Sequence, residues 1–540
     1  MVSCSLAAML LLSACGSSTE ESSKKTSASE AAGTSSLVSE GENTTNDEPV
    51  KLTIAVKQHS NDILTDVGEK AVLQEAAEVL GYEIEWIGIN ESAVNEQVGT
   101  LLTDNKVDVY WGLLGDSLVT ANSKLFLTLE DKIEQYCPNV YATYQESVDG
   151  WEQYLTYPDG HIYGLMGGEL QSSNNSVQGT FWINQTWLDA VGKEVPTTMT
   201  ELVEVLSAFR DNDMDGDGDK SNEIPLDFCQ QHYAAKYCEL AHCFGLAISN
   251  GSRFYNIEDG KVVPLADSDA FREFLEYFHS LVEDGLANKE GVTQTQEQYN
   301  ANISNGIVGA FWGWAPYTYI TDAEKAAEYV PVAPISADGY TFSDPFGGWS
   351  CTRNSWVIAE KCENWEAALK LWDYLSRDEE ACYTIAKGAK DLTWEWVDGI
   401  ATSRAYTSEE AIAAGYPEDI ASNAGTSAFT ASVGIINVGP LVINSLAPAE
   451  GTNTAIRGSA TDLYQDYLNP ALPKTVVPAE IKEEFDFTCE GLVDYINSFA
   501  VESIQNGVTD DSWNAHLTKL GEYNYDYYIE YNQKVLDSDF

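Results

Sequence analysis

The most chemically informative stretch of this 540-residue sequence is a run of alternating acids. Carboxylates occur at Asp213, Asp215, Asp217 and Asp219, two glycines lie between them, and Glu223 follows. Carboxylates this close repel one another unless a cation lies among them. Ca²⁺ takes about six to eight oxygen ligands, from a loop in which glycine permits a sharp turn. We therefore expect these acids to bind a structural Ca²⁺.

The spacing of this loop is close to that of an EF-hand without matching it. If Asp213 is position 1, Glu223 falls at position 11, and if Asp211 is position 1 it falls at position 13. An EF-hand has its glutamate at position 12. The alternative is a solvated acidic turn without a metal. The two glycines between alternating acids favour a metal, and its identity stays open.

Aromatic side chains form a second group that could do chemistry, because the chain holds 14 tryptophans and 29 tyrosines. Sugars present apolar C–H faces, on which a flat ring can stack. Trp312 and Trp314 follow the apolar stretch Ile307–Phe311 and share a face if that strand continues through them. Trp349 follows two glycines. We expect at least one of these rings to stack on a ligand, although core packing is the alternative for any single tryptophan.

Polar side chains in predicted loops could bind the hydroxyl groups of such a ligand. Solvation in a loop is the alternative for each of them. The candidates are His59, Asn61, Asp62, Glu169, Asp344 and Arg353.

The first elements that must position these residues form an α/β pattern. Leu52–Val56 predicts a strand, and a helical pattern follows from Leu64 to Leu80, closed by Gly81. A strand over Tyr82–Ile89, a helix over Ala93–Asp104 and a strand over Val107–Trp111 complete β-α-β-α-β. This order is typical of a parallel sheet, in which ligands bind at the carboxyl ends of the strands.

A second group of elements surrounds the acidic loop. Strands are predicted at Ile162–Leu165 and Thr180–Asn184, and a helix that begins near Trp187 should stop at Gly192. Thr198 or Thr200 should cap a further helix that runs to Phe209, directly before the loop.

The N-terminal segment predicts export and lipidation. Residues 1–14 contain a short apolar run that ends in small residues before Cys15, which is the pattern of a lipoprotein signal peptide, although no basic residue precedes the run. Residues 15–49 are rich in Ser, Thr, Glu and Ala and predict a disordered tether. We expect a lipidated Cys15 to hold the folded part on the extracellular face of the cell membrane.

Charge and cysteine usage exclude several classes of protein. The formal charge of −56 repels phosphate backbones, so we expect no nucleic-acid partner. Beyond the first fifteen residues the cysteines show no CxxC pair and no zinc-site spacing. A disulfide among Cys229, Cys238 and Cys243 is one interpretation, and buried free thiols are another.

Motifs along the chain resemble those of the family 1 extracellular solute-binding proteins, the lipid-anchored receptors of carbohydrate ATP-binding-cassette (ABC) importers in Gram-positive bacteria. The acidic loop resembles that of the calcium-containing, alginate-oligosaccharide-binding members. The resemblance runs from about residue 50 to the C-terminus. It is carried by Trp182-Ile183-Asn184, Trp187-Leu188, Gly192, Val195–Thr198, Glu223–Leu226, Ile307–Trp314, Gly388–Gly399, Ser512-Trp513 and the Tyr-rich helix through Asp537.

The resemblance implies an α/β, two-lobed, periplasmic-binding-protein-like fold with discontinuous lobes and C-terminal helices. The lobe limits we predict are 50–170 with 345–430 for the first lobe, 171–344 with 431–490 for the second, and 491–540 for C-terminal helices. It also implies an oligosaccharide ligand, ABC permease partners, a membrane contact through the lipid anchor only, and a monomer.

Catalysis and adhesion are the competing classes. A secreted, calcium-containing glycoside hydrolase would share the acidity and the tryptophans, and it would need two carboxylates about 5–10 Å apart. No acid occurs in a recognisable catalytic setting, and neither a GxSxG nor an HExxH motif occurs. We therefore expect a binding protein and not an enzyme, with the hydrolase, and then a surface adhesin, as alternatives.

Overall fold

The computed structural model describes residues 49–58, 62, 66–171, 177, 179–345, 350–404, 406–414, 438–449 and 453–538. The predicted signal peptide, Cys15 and the predicted tether up to residue 48 lie outside these residues. None of the helices in the described ranges is both long enough and apolar enough to cross a membrane.

Sixteen strands are present in the described residues. They are β1 Val50–Gln58, β2 Tyr82–Asn90, β3 Val109–Trp111, β4 Gly164–Gln171, β5 Thr180–Asn184, β6 Ile224–Asp227, β7 Tyr255–Glu258, β8 Lys261–Pro264, β9 Val308–Gly313, β10 Tyr329–Pro331, β11 Asp344–Pro345, β12 Ser350–Ile358, β13 Trp394–Val397, β14 Ile400–Ser403, β15 Val442–Asn444 and β16 Leu468–Asn469.

The α-helices lie mostly between these strands and after them. They are Ala71–Leu80, Val94–Asp104, Asp116–Ala121, Ile133–Tyr136, Pro138–Ser147, Trp151–Leu155, Gln185–Val191, Met199–Asp211, Cys238–Ala241, Asp269–Glu283, Gln296–Asn305, Ala323–Ala326, Trp365–Leu375, Glu379–Lys387, Ser408–Ala413, Asn453–Asp462, Ala479–Thr488, Leu492–Asn506, Asp510–Glu522 and Tyr525–Asp537.

The first sheet has six strands in the order β15-β4-β12-β3-β1-β2. β1 pairs in parallel with β2 and β3, as the β-α-β-α-β pattern predicts, and β12 runs antiparallel between β3 and β4. The first helix is shorter than predicted and begins at Ala71, because Lys70 is extended and interrupts the helical backbone. It ends at Gly81, whose φ of 70° belongs to the left-handed region that glycine tolerates.

The second sheet has four strands in the order β10-β5-β9-β6. β5 occupies the predicted residues and pairs with β9 in antiparallel register, while β6 is parallel to β9. The helix Met199–Asp211 is capped by Thr198, whose hydroxyl accepts the N–H of Glu201 at 3.1 Å. Its Phe209 packs against Gly309 of β9, where an added Cβ would come within 2.5 Å of the ring.

The lobe limits differ from the predicted ones at the C-terminal side. The strand β15 pairs with β4, so Val442–Asn444 belong to the first sheet, although the prediction gave 431–490 to the second lobe. The helices after Leu492 share one buried core with the second sheet, through side chains such as Ile496, Trp513 and Tyr525. Short strands are weak sequence signals, since three residues carry almost no periodicity.

The described residues show at least three passages of the chain between the two sheets. The first passage lies between β4 and β5, the second between β10 and β12, and the third between β15 and the helix Asn453–Asp462. Within the second passage, β11 pairs in parallel with β16, which follows that helix, and Asp344 lies opposite Leu468. The two sheets are therefore joined by crossing segments, as in the predicted discontinuous lobes.

The cysteines in the described residues are all free thiols. Cys229, Cys238 and Cys243 are buried in the second lobe and form no disulfide with one another. The interpretation as buried free thiols is therefore the one that the structure supports.

Candidate ligand-binding site

An aromatic cluster surrounds the carboxyl end of β9. The strand ends at Gly313, and the half-buried ring of Trp314 follows directly. The ring centroid of His232 lies 5.3 Å from that of Trp314, 5.2 Å from that of Tyr299 and 5.7 Å from that of Tyr319. Gly313 permits this approach, because a Cβ there would come 2.6 Å from the Tyr319 hydroxyl. We call His232, Tyr299, Trp314 and Tyr319 the aromatic cluster.

Hydrogen bonds connect the cluster to the backbone. The Nδ1 atom of His232 accepts the N–H of Ala234 at 3.1 Å, and burial lowers the pKa of His232 to about 4. The ring is therefore neutral at physiological pH and carries its proton on Nε2, which donates to the Tyr319 hydroxyl at 3.2 Å. That hydroxyl also accepts the N–H of Trp314 at 3.4 Å. The imidazole thus joins the loop after β6 to the chain after β9.

Trp312 lies behind the cluster and is largely a core residue. Its ring is 5% exposed and stacks on Phe181, with the centroids 4.7 Å apart and the planes at 22°. Its carbonyl accepts a hydrogen bond from the Tyr299 hydroxyl. The ring borders a cavity of about 20 Å³, together with Glu239 and Tyr464. Trp312 and Trp314 were predicted to share a face of a continuing strand, but the strand ends between them.

Tyr233 is a candidate ligand-binding residue that the sequence reasoning missed. Its side chain is 53% exposed and it follows His232 in the loop after β6. Because β6 and β9 are parallel, the loop with Tyr233 and the residue Trp314 lie at the same edge of the sheet. The signal was available, since an aromatic residue follows a short apolar strand within a few residues.

Glu169 lies near the carboxyl end of β4 in the first sheet, where ligands of α/β sheets bind. Its carboxylate lies 2.7 Å from Lys387 Nζ and also accepts from the Ser445 hydroxyl, and its side chain is 14% exposed. Lys387 ends the helix Glu379–Lys387, and Ser445 follows β15. The carboxylate therefore joins three elements at the point where the chain passes to the second lobe.

Two other predicted acids point into the interior. Asp62 lies 2.6 Å from Lys70 Nζ, with side chains 2% and 0% exposed, and burial lowers the pKa of the lysine. Asp344 is 1% exposed and lies 3.6 Å from His242 Nδ1, beyond hydrogen-bonding distance. Burial raises the pKa of Asp344 well above its ordinary value and lowers that of His242 to about 4. Both acids are buried and face away from solvent, and Asp62 is paired with Lys70.

Arg353 is used within the protein. Its guanidinium donates to the carbonyls of Tyr154 and Lys474, lies 3.4 Å from Asp116, and stacks 4.5 Å from the Tyr154 ring. The side chain is 4% exposed. It therefore connects the first lobe to a C-terminal segment, and the structure does not bring it together with Trp314. His59, Asn61 and Trp349 lie outside the described residues.

The acidic loop forms a concave set of carboxylates between the helix Met199–Asp211 and β6. Carboxylate oxygens of Asp213, Asp215 and Asp217 all lie within 4.8 Å of one another. Asp213 accepts the N–H groups of Gly216 and Gly218 at 2.9 and 3.0 Å. These two glycines have φ values of 77° and 92°, so the sharp turn does require glycine.

The remaining two predicted ligands lie at the end of the loop. Glu223 Oε1 accepts the N–H of Met214 at 2.7 Å, whereas its buried Oε2 has no hydrogen-bond partner among the described residues. An unpartnered carboxylate oxygen beside three converging acids fits a hard cation such as Ca²⁺. Asp219 instead accepts the N–H and hydroxyl of Ser221, and these hydrogen bonds lower its pKa.

Comparison with known proteins shows what the chain is similar to. No protein-family model matches it. It is 24% identical over 511 residues to the fructooligosaccharide ABC transporter substrate-binding protein FusA of Streptococcus pneumoniae, which covers 87% of each chain. It is 24% identical over 266 residues to the lipoprotein LipO of Bacillus subtilis, which covers 45% of this chain and 49% of LipO.

Solved structures share the fold. An HMO-binding solute-binding protein of Bifidobacterium longum infantis superposes with a TM-score of 0.74 at 20% identity, covering 91% of this chain and 99% of that one. An EF-hand mutant of FusA from S. pneumoniae, in complex with fructo-nystose, gives 0.72 at 22% identity, covering 90% and 99%. The alginate-binding protein AlgQ2 without calcium ion gives 0.62 at 16% identity, covering 91% and 98%.

These findings define the fold, which is the two-lobed α/β architecture of the solute-binding proteins that the chain resembles. The predicted fold is confirmed, and so is the resemblance to extracellular solute-binding proteins of sugar ABC transporters, which the relative FusA exemplifies. FusA is named a substrate-binding protein and not an enzyme.

Proposed function

We propose that this chain captures a carbohydrate, an oligosaccharide, between its two lobes and delivers it to an ABC importer. The observation that carries the proposal is the half-buried ring of Trp314 in the aromatic cluster, with exposed Tyr233 at the same sheet edge. The chain that carries these rings is similar to FusA over most of its length. The name of FusA specifies fructooligosaccharide. For this chain we propose an oligosaccharide and do not specify the sugar.

The two lobes would contribute different contacts. The rings of Trp314 and Tyr233 are platforms for the C–H faces of sugar rings, since flat aromatic surfaces lose little entropy on binding. Glu169 and Lys387, at the carboxyl edge of the first sheet, would exchange part of their mutual contact for ligand hydroxyls. A ligand that contacts both edges stabilises the closed arrangement of the lobes, because only that arrangement offers both sets of contacts.

Delivery needs partners and a location. In this proposal a lipidated Cys15 anchors the protein on the extracellular face of the membrane of a Gram-positive cell, and the closed, monomeric receptor docks on ABC permease subunits. The relative LipO is named a lipoprotein. A Cys15→Ser variant should be released from the cells into the medium, and recovery of that variant in the membrane fraction would contradict the anchor.

A structural Ca²⁺ in the acidic loop is part of the proposal. Asp213, Asp215 and Asp217 would hold it together with Glu223, whose unpartnered oxygen is the observation that supports a fourth ligand. Asp219 would contribute its backbone carbonyl, as position 7 of an EF-hand does. The ion would screen the repulsion among these carboxylates and fix the loop to β6.

The experiment that tests the function is a ligand screen by thermal shift, followed by isothermal titration. Neutral and acidic oligosaccharides of several linkages would be tested, each with calcium present, and the mixtures analysed by chromatography. A binding protein raises its Tm with ligand and leaves the glycan intact. Cleaved glycan would indicate a hydrolase, and the absence of any binding across the panel would contradict the proposed ligand class.

A further inference from the structure

His232 is a buried imidazole at the centre of the aromatic cluster. Its side chain is 1% exposed, and three aromatic rings lie within 6 Å of it. A histidine in this position could be a mere filler of the core. Two observations speak against that: both ring nitrogens have defined hydrogen-bond partners, and these partners belong to different elements.

The two partners are the N–H of Ala234 and the hydroxyl of Tyr319. Ala234 follows the exposed Tyr233, and the Tyr319 hydroxyl receives the N–H of Trp314. His232 therefore holds the backbone next to Tyr233 through one hydrogen bond, and it holds the backbone of Trp314 through two, with the Tyr319 hydroxyl between them.

We propose that His232 is a positioning residue for ligand capture, which fixes Trp314 and Tyr233 relative to each other. This inference rests on the proposed function, because the spacing of these rings affects affinity only if a ligand stacks on them. An aromatic platform that is fixed before binding avoids the entropy cost of ordering its side chains on binding.

The chemistry of the imidazole explains why another residue would not serve equally well. Phenylalanine would fill the same space and lose both hydrogen bonds. Asparagine would retain an acceptor near Nδ1 for the N–H of Ala234 but would not reach Tyr319. A neutral imidazole accepts a hydrogen bond at one ring nitrogen and donates one from the other, and burial keeps the His232 ring neutral.

A double-mutant cycle tests the proposal with an oligosaccharide taken from the screen. We expect His232→Phe to weaken binding about tenfold, Trp314→Ala to weaken it more, and the double variant to be no weaker than Trp314→Ala within about twofold. His232→Asn should recover part of the loss. Additive losses in the double variant would overturn the proposal, because they would mean that His232 acts independently of Trp314.

The matched control is His516→Phe. His516 is also 1% exposed in the second lobe, and its nitrogens contact the Tyr495 hydroxyl at 3.0 Å and the carbonyl of Ala266 at 2.9 Å. Its loss should lower Tm like the loss of His232 while leaving affinity unchanged. Equal losses of affinity in both variants would reduce His232 to a general structural role.

A spectroscopic readout separates this proposal from the proposed function. With fluorotryptophan incorporated, the ¹⁹F resonance of Trp314, assigned by Trp314→Phe, should broaden or shift in His232→Phe and stay unchanged in His516→Phe. This measurement needs no ligand. If no oligosaccharide binds but the resonance responds, the function fails while the positioning stands; an unchanged resonance overturns the positioning. Where His232→Phe does not fold, His232→Asn is measured in the same way.

Discussion

The short strand β6 separates two regions of opposite chemistry. The acidic loop ends at Glu223, directly before β6, and the loop with His232 and Tyr233 begins directly after it. Before the strand, carboxylates are exposed and accept N–H groups from their own loop. After it, His232 is buried and bonded to a residue 87 positions away in sequence.

This difference between the two ends of β6 indicates that one end should control the stability of the protein and the other its affinity for a ligand. A loop whose contacts are local, and whose carboxylates repel one another, gains order mainly from a cation. A cluster whose contacts cross between elements is already ordered and offers part of its ring surface to a ligand. We therefore expect the amino end of β6 to control stability and the carboxyl end to control affinity.

The largest effect that we expect is on the acidic loop. Removal of calcium by EDTA should lower the free energy of unfolding by about 2.7 kcal/mol if the ion is otherwise present at about 100 times its Kd, which appears as a fall of several degrees in Tm. The affinity for oligosaccharide should change little. Glu223→Gln should reproduce the fall, and Glu480→Gln, at an exposed helical position, is the control.

An unchanged Tm together with no copurified metal would contradict the calcium site. A loss of ligand affinity on chelation that exceeds the loss from Trp314→Ala would instead contradict the division of roles between the two ends of β6.

The next effect concerns the carboxyl end of β9. Trp314→Ala should weaken oligosaccharide binding by about 2 kcal/mol, roughly 30-fold, because a central aromatic platform is lost. Tm without ligand should fall only slightly, since the ring is half-buried. Trp396→Ala is the matched control, because Trp396 is also half-buried but lies in the hairpin β13–β14 of the chain. Isothermal titration measures both, and equal affinities for the two variants would disprove the platform.

The sequence predicted the fold better than the site, for a physical reason. Strands such as β5 and helix boundaries such as Gly192 follow from local apolar patterns and caps, which neighbouring residues determine. The carboxylates of the acidic loop were found because their ligands lie within one short stretch. The lobe limits were wrong at β15, where three residues pair with a strand more than 270 positions earlier.

The ligand candidates depend on burial, which local patterns do not determine. Asp344 and Arg353 were predicted to contact a ligand, yet the structure buries both of them in the interior of the protein. Tyr233 and His232 were missed because their roles in a ligand site depend on Trp314 and Tyr319, which another part of the chain supplies. The predictions for His59, Asn61 and Trp349 stay predictions.

Asp344 extends the comparison to an acid that is buried and has no cation beside it among the described residues. Both of its oxygens lack a hydrogen-bond partner in the part of the chain that the structure describes, and His242 beside it is neutral near pH 7. Because the pKa of Asp344 is raised by folding, its contribution to stability is present below about pH 4 and is lost as the pH rises through the raised value. Asp344→Asn should therefore stabilise the protein by on the order of 1 kcal/mol at neutral pH.

The gain from Asp344→Asn should grow between pH 4 and pH 8, measured as the difference in Tm between variant and wild type at each pH. A gain that shrinks with rising pH would contradict this prediction. It would show that the carboxylate form of Asp344 has a stabilising partner in the folded protein.

The smallest effect concerns the edge of the first sheet, which should contribute less to affinity than the aromatic edge. Glu169→Gln removes the charge that faces Lys387 but keeps the side chain's size and its ability to accept from Ser445. For a partly exposed pair we expect a loss of about 0.5 kcal/mol, or two- to threefold in Kd. Glu380→Gln is the matched control. Glu380 lies at the start of the helix Glu379–Lys387, which Lys387 ends, and its carboxylate lies 2.7 Å from Lys390 Nζ. If Glu169→Gln weakens binding as much as Trp314→Ala, the ligand is held chiefly by charge, and the aromatic edge loses its leading role in recognition.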